Sequence, residues 1–317
     1  MATFREPKIG DEIPTLVRVT DLAHWNRYAA INDEFIPIHM DPADAKAVGQ
    51  PDVFGMGNLR FGYLHAALDD WLDGAGDIAE LGCEFRGMNF KGDELRAGAT
   101  VTAVETRAGI TTIDLDLAVI NQDGMNTTPG KASVVLFEGG KPRMPEPPPG
   151  PEPASGLSPG VYLDERTIEL VGQSTEPYSS LPVGANDIRR WSMAIHYPEK
   201  SPARYYDEAV AKQEAWSGLV APRDFNPFAW MQDAPQGMPW LRGMGTEPGT
   251  RVLNGGQRNL YFERIRPGDV ITSQACLANA YERKGRLGTM LFLITEMRWT
   301  NQKDELTRVG YMITIYY

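Results

Sequence analysis

The sequence predicts an α+β chain of two similar halves, each a curved antiparallel sheet wrapped around a central helix. Three observations predict it. A proline-rich stretch divides the 317 residues near the middle, a set of turn markers recurs on both sides of it, and one apolar stripe at helical spacing precedes the first run of strands.

The dividing stretch runs from Lys141 to Gly160 and includes Pro147-Pro-Pro-Gly-Pro151. So many prolines remove backbone donors and favour extended polyproline II, so residues 141–160 read as a semi-rigid linker. The expected units are residues 1–140 and 161–317. In the first, Phe90-Lys-Gly-Asp93 precedes alternating runs that end at Val119-Ile-Asn-Gln-Asp-Gly124. In the second, Arg266-Pro-Gly-Asp269 precedes similar runs that end at Trp299-Thr-Asn-Gln-Lys-Asp304. Thr100–Thr106, Thr112–Val119, Gly288–Trp299 and Tyr311–Tyr317 have the alternation and β-branched content of strands. Asn-Gln-Asp-Gly is a hairpin turn signal. Internal duplication explains the recurrence most simply.

Helical segments come ahead of the strands. Asp21 is a suitable N-cap for Leu22–Ile31. Beyond Gly57, residues Leu59, Tyr63, Leu64, Ala67, Leu68, Trp71 and Leu72 repeat at three- and four-residue spacing, giving one face to bury against a sheet. Composition narrows the partners. The net charge is −11, with no run of Lys and Arg, which gives nucleic-acid binding no support. No apolar run is long enough for a membrane span, and the N-terminus lacks the apolar core of a signal peptide. Cys83 and Cys276 are too far apart in sequence for a CxxC site, which suits a reducing cytoplasm. No spacing of metal ligands, GxGxxG or P-loop is present, so no resident cofactor is expected.

Chemistry concentrates in Tyr28-Ala-Ala-Ile-Asn-Asp-Glu-Phe-Ile-Pro-Ile-His-Met-Asp41, followed by Ala45 and Phe54-Gly-Met56. This pattern resembles the hydratase-2 motif of MaoC-like enzymes, with Pro-Ile-His-x-Asp and the later Gly-Met as its specific parts. Asp187-Ile-Arg-Arg-Trp191, Pro202-Ala-Arg-Tyr-Tyr-Asp207, Gly218-Leu-Val-Ala-Pro222 and Arg266-Pro-Gly-Asp269 resemble the related dehydratase half that often lacks catalytic groups. The resemblance implies a double-hotdog fold acting on acyl-CoA, or acyl-carrier-protein, thioesters, with CoA entering only as part of the substrate.

The residues support that chemistry on their own terms. Adding water to a 2-enoyl thioester needs a base for the water, an acid for the α-carbon and donors for the enolate oxygen. An imidazole and a carboxylate sharing one water serve the first two needs, which points to His39. The Gly55 amide, just before a helix, suits the third. The carboxylate stays open. Family members usually place it five residues before the histidine, which is Glu34 here, and Ile36 stands where they carry Asn. Asp33 keeps the usual residue type one position earlier. The shorter side chain is more easily held rigid, which tilts the choice towards Asp33. Aligning Pro202 with Pro37 sets Arg204 opposite His39, and arginine cannot act as a base. One active site per chain is expected, with the second half supplying acyl-binding surface and arginines for CoA phosphates.

Plainer roles fit the other singled-out residues. His65, among Leu64, Ala66 and Ala67, reads as a hydrogen-bonded core histidine. The tryptophans at 216, 230 and 240, in a loop-like region with Pro222, Pro227, Pro235 and Pro239, read as packing or tunnel residues. Two rival functions remain: a hotdog acyl-CoA thioesterase, and a non-catalytic acyl-CoA-binding subunit. A thioesterase needs a carboxylate early in the central helix, and Asp69 and Asp70 come late. A double hotdog carries its own pseudo-symmetric partner, so a monomer and a homodimer both satisfy the sequence.

Overall fold

The computed structural model describes residues 7–140, 142–232 and 237–317. Residues 1–6, Lys141 and Pro235 lie outside these ranges. The first half contains strands β1 (Leu16–Val19), β2 (Gly76–Cys83), β3 (Glu94–Arg107), β4 (Ile110–Asn121) and β5 (Gly130–Leu136). Between β1 and β2 lie helices α1 (Leu22–Asn32), α2 (Pro37–Met40), α3 (Pro42–Ala47) and α4 (Gly57–Leu72). The second half contains α5 (Glu165–Leu170), β6 (Tyr178–Ser179), α6 (Ala185–His196), a 3-10 turn at Ala203–Tyr205, and α7 (Glu208–Ala211). Strands β7 (Val252–Tyr261), β8 (Thr272–Gly285), β9 (Gly288–Thr300) and β10 (Leu306–Tyr316) complete it.

All ten strands form one sheet in the order β1-β3-β4-β5-β2-β7-β10-β9-β8-β6. Numbered within each half, the order is first, third, fourth, fifth, second, and then the same series reversed. The halves meet where β2 pairs antiparallel with β7, from Glu80 opposite Leu260 to Cys83 opposite Gln257. The duplication extends to single hydrogen bonds. The Phe90 amide donates to the Asp93 carboxylate at 2.7 Å, and the Arg266 amide to Asp269 at 2.7 Å. Gln122 and Gln302 donate to the same two carboxylates at 2.8 and 3.0 Å. Thr127 and Thr307 each donate to the carbonyl eight residues earlier, on Val119 and Trp299. These polar anchors are the turn markers that recur in sequence.

The two halves differ at the central element. Helix α4 buries Leu59, Tyr63, Leu64, Ala67, Leu68 and Leu72, as their spacing demands. In the second half the described residues from 212 to 251 form turns and no helix. Pro222, Pro227 and Pro239 fall within this stretch, where each removes an amide that a helix interior would need. Trp240 takes up packing there, 2% exposed among Leu163, Leu277, Leu291, Leu293 and Tyr316. Its Nε1 donates to Thr295 Oγ1 at 2.9 Å. The proline-rich stretch has no helix or strand over residues 142–160, and the Ala154 amide donates to Ala278 O at 2.9 Å.

No helix among the described residues is long and apolar enough to cross a membrane.

Candidate active site

Helix α1 opens on Asp21, whose carboxylate accepts from the amides of Ala23 and His24. It closes on Asp33, which has left-handed backbone with φ 53°. Two proline-led turns follow, α2 and α3, and their fixed φ angles stiffen the segment that carries His39. His39 is 7% exposed. Its Nδ1 lies 2.8 Å from the Phe54 carbonyl oxygen, and its ring meets that of Phe54 edge-on, centroids 4.8 Å apart. A carbonyl only accepts, so Nδ1 carries the hydrogen and Nε2 keeps its lone pair. Burial lowers the imidazole pKa below its ordinary 6.5, and the bond to Phe54 offsets part of that. At neutral pH His39 is an uncharged base.

The two candidate carboxylates part company. Asp33 is exposed, and among the described residues its carboxylate makes no hydrogen bond or ion pair. Glu34 is partly buried. Its Oε2 accepts from Asn32 Nδ2 at 2.7 Å and from Asn58 Nδ2 at 3.2 Å. Burial raises its pKa above the ordinary 4.5, and the two amides pull it back in part. Asn32 is held in turn by Asn226 Nδ2 at 2.9 Å, from the second half. His39 is therefore tied to Phe54, and Glu34 to Asn58, within the same five-residue turn into α4. That shared turn anchors both groups. Asn32, Asn58 and Asn226 were not among the expected site residues. Asn58 directly follows Gly57, already marked as a helix start, whereas nothing near Asn226 in sequence points to Glu34.

Gly55 has a different place from the one expected. Its amide donates to Asn89 O at 2.9 Å, beside a bridge between Phe54 and Phe90. In the second half Ala221 donates to Ile265 O at 2.8 Å in the matching position. The Gly55 bond thus belongs to the duplicated framework, and its amide is not free for a ligand. Unpaired donors lie just beyond it. The first amides of an α-helix have no acceptor within the helix, and α4 starts after buried Met56 with no side-chain cap. What Gly55 provides is room: a Cβ there would lie 2.4 Å from Asn89 Nδ2 and 2.8 Å from Trp25 Nε1. Gly55→Ala is expected to destabilise the chain by about 1–3 kcal/mol through overpacking. Thermal unfolding measures this, and an unchanged Tm would contradict the close packing.

The second half's counterpart of this site is closed by ion pairs. Arg204, opposite His39, donates to the Asp69 carboxylate at 2.9 Å and also reaches Asp73 at 3.3 Å. Tyr205 donates to Asp69 at 2.7 Å. Burial alone would raise the Asp69 pKa, but Arg204 holds it well below the usual range. The remaining histidines have structural partners. His65 bonds Phe61 O and the Tyr261 hydroxyl at 2.8 and 2.7 Å, and burial lowers its pKa to about 4. His24 bonds the Asp21 carboxylate at 2.7 Å, and His196 bonds Ser192 O at 2.8 Å. Among the described residues no cluster of His, Cys, Asp and Glu could hold a metal ion.

A cavity of about 280 Å³ adjoins the site, bounded by Ala30 and Ile31 of α1, Arg190 and Trp191 of α6, and Asn226 and Trp230. Trp230 reaches across from the second half to donate to Ala30 O at 2.7 Å. Its ring meets that of Phe35 edge-on at 5.9 Å.

Residues 169–308 match the model of the FAS1-like dehydratase domain region. No curated protein matches the chain in sequence. Solved structures match it along nearly its whole length. A MaoC domain protein dehydratase from Chloroflexus aurantiacus aligns with a TM-score of 0.68 at 9% identity, covering 99% of this chain and 97% of its own. A Mycobacterium tuberculosis protein with a double hotdog fold gives 0.62 at 12% identity, covering 98% and 97%. A MaoC-like dehydratase gives 0.61 at 12%, covering 96% and 97%. At such identities the likeness is one of fold. The chain therefore has a double-hotdog fold, and its second half is similar to the dehydratase domain region.

Proposed function

We propose that the chain hydrates 2-enoyl-CoA thioesters to 3-hydroxyacyl-CoA, or runs the reverse dehydration, at a single site in its first half. The observation that carries this is the turn from Phe54 to Asn58, which holds a neutral imidazole by one end and a half-buried carboxylate by the other. One water shared by His39 Nε2 and Glu34 is polarised by two acceptors. Its oxygen bonds to the β-carbon of the enoyl group, and its proton passes through the pair to the α-carbon. The thioester oxygen gains negative charge as this happens. The unpaired amides of the first turn of α4, at the positive end of the helix dipole, hold it there. Glu34, rather than Asp33, is the carboxylate in this reading, and Asn58 supplies it an amide that Ile36 cannot. A thioesterase would need a carboxylate early in α4, whereas Asp69 comes late in that helix and is paired with Arg204.

The test is a spectrophotometric assay on crotonyl-CoA and longer enoyl-CoA substrates. Glu34→Gln is expected to lose about 10²-fold in kcat, a typical share for a positioned proton-transfer group. Asp33→Asn should stay close to wild type. The opposite ranking would return the role to Asp33. Release of free thiol by the wild type would make the chain a thioesterase instead.

A further inference from the structure

We infer that the open groove between α1 and α6 binds the phosphorylated nucleotide end of CoA, an assignment that rests on the thioester reading above. The groove has a volume of about 600 Å³. Four cations rim it: Arg27 from α1, Arg189 and Arg190 from α6, and Lys200 just beyond α6. All four are exposed, and among the described residues none makes an ion pair. The one carboxylate in the lining, on Glu199, is already paired with Arg18 at 2.8 Å.

Unpaired cations gathered at one groove stand out on a chain of net charge −11. Their mutual repulsion is unrelieved within the protein, so a ligand carrying several negative charges gains most there. The guanidinium of Arg27 lies over the Tyr197 ring, 3.9 Å from its centroid, which fixes one charge beside an aromatic face. A purine with attached phosphates offers a flat ring and anionic groups together, the combination this groove complements.

The groove also borders the cavity beside the site. Ala30, Ile31 and Arg190 line both the groove and the 280 Å³ cavity. That cavity includes Asn226, which bonds Asn32, which bonds Glu34. From Arg27 to Asn32 is five residues of helix, about 7.5 Å along its axis. In this reading the thioester lies near the Asn32 end of α1, and its charged end lies among the four cations.

The experiment pairs a nucleotide probe with a phosphate-free substrate. Titration calorimetry with adenosine 3′,5′-bisphosphate is run on wild type and on the double variant Arg27→Ser, Arg189→Ser. Crotonyl-CoA and crotonyl-pantetheine are then compared as substrates of both proteins. Exposed charge contacts are individually weak, so the two losses together are expected to weaken bisphosphate binding and raise KM for crotonyl-CoA about tenfold. Crotonyl-pantetheine kinetics should not change, and the difference should shrink as salt is raised. Equal bisphosphate binding by both proteins, with crotonyl-CoA still turned over, overturns the groove and leaves the proposed reaction standing. Loss of bisphosphate binding in the variant, with no turnover of either thioester by wild type, keeps the groove and overturns the reaction. No bisphosphate binding, together with a rise in KM for a crotonyl carrier protein alone, makes the occupant an acidic protein surface and overturns the inference.

Discussion

Replacing His39 with alanine is expected to lower kcat for crotonyl-CoA hydration about 10³-fold, within the range that positioned acid–base groups contribute. That factor corresponds to about 4 kcal/mol of transition-state stabilisation. The size follows from how the imidazole is held. Its Nδ1 hydrogen is committed to Phe54 O at 2.8 Å, so Nε2 is presented as an acceptor without a choice of tautomer. Alanine leaves the water with Glu34 alone. The fold is expected to survive, because the neighbouring turns are fixed by Pro37 and Pro42 and not by the imidazole. The pH profile supplies a second reading. Burial places the His39 pKa below 6.5, so the neutral base persists to mildly acid pH and is lost only as pH falls through that lowered value. Glu34, raised above 4.5 by burial, loses its carboxylate form in the same direction. A wild-type rate constant that stays level from pH 8 to 7 and falls on an acid limb below 6.5 is expected. His39→Ala at near wild-type rate would end the mechanism.

The fold was legible because the duplication writes itself in residues that act locally. Asp93 and Asp269 tie their own turns, and the apolar spacing from Leu59 to Leu72 marks a helix that the fold buries on every side from Leu59 to Leu68. The central helix expected in the second half is absent from its described residues, where Pro222, Pro227 and Pro239 interrupt the stretch that would form it. The site was legible only in part. The Pro-Ile-His-x-Asp pattern pointed to His39, but spacing could not choose between Asp33 and Glu34, because that choice depends on backbone shape. Asp33 sits in the left-handed conformation that ends α1, and its side chain is exposed, while Glu34 meets two asparagine amides. The Gly55 amide was misjudged for a related reason. Its acceptor, Asn89, is 34 positions away and becomes a neighbour only when the chain folds back. Asn226 is more remote still, from the other half.

Asp77→Ala is expected to cost about 3–5 kcal/mol of stability, the usual result of breaking a buried ion pair from one side. Asp77 is fully buried at the start of β2, and two guanidiniums from the second half enclose its carboxylate. Arg223 donates to it at 3.0 and 2.6 Å, and Arg264 at 2.9 and 2.7 Å. Trp216 adds a fifth donor at 3.1 Å. Burial alone would raise the Asp77 pKa, but the two guanidiniums hold it below its ordinary 3.8. A lowered folded-state pKa gives stability that is present above 3.8 and lost as pH falls through the lower value. The gap between wild type and variant, measured by urea unfolding, should therefore be full at pH 7 and narrow below 3.8. Removing all three charges together, with Asp77→Leu, Arg223→Met and Arg264→Met, is expected to recover much of the loss, since no buried charge is then left alone. The consequence reaches the site. Arg223 lies three residues before Asn226, so the same triad steadies the loop whose amide holds Asn32 against Glu34. Activity in Asp77→Ala is expected to fall with temperature before the global transition. A variant as stable as wild type at pH 7 would show that the triad does not join the halves.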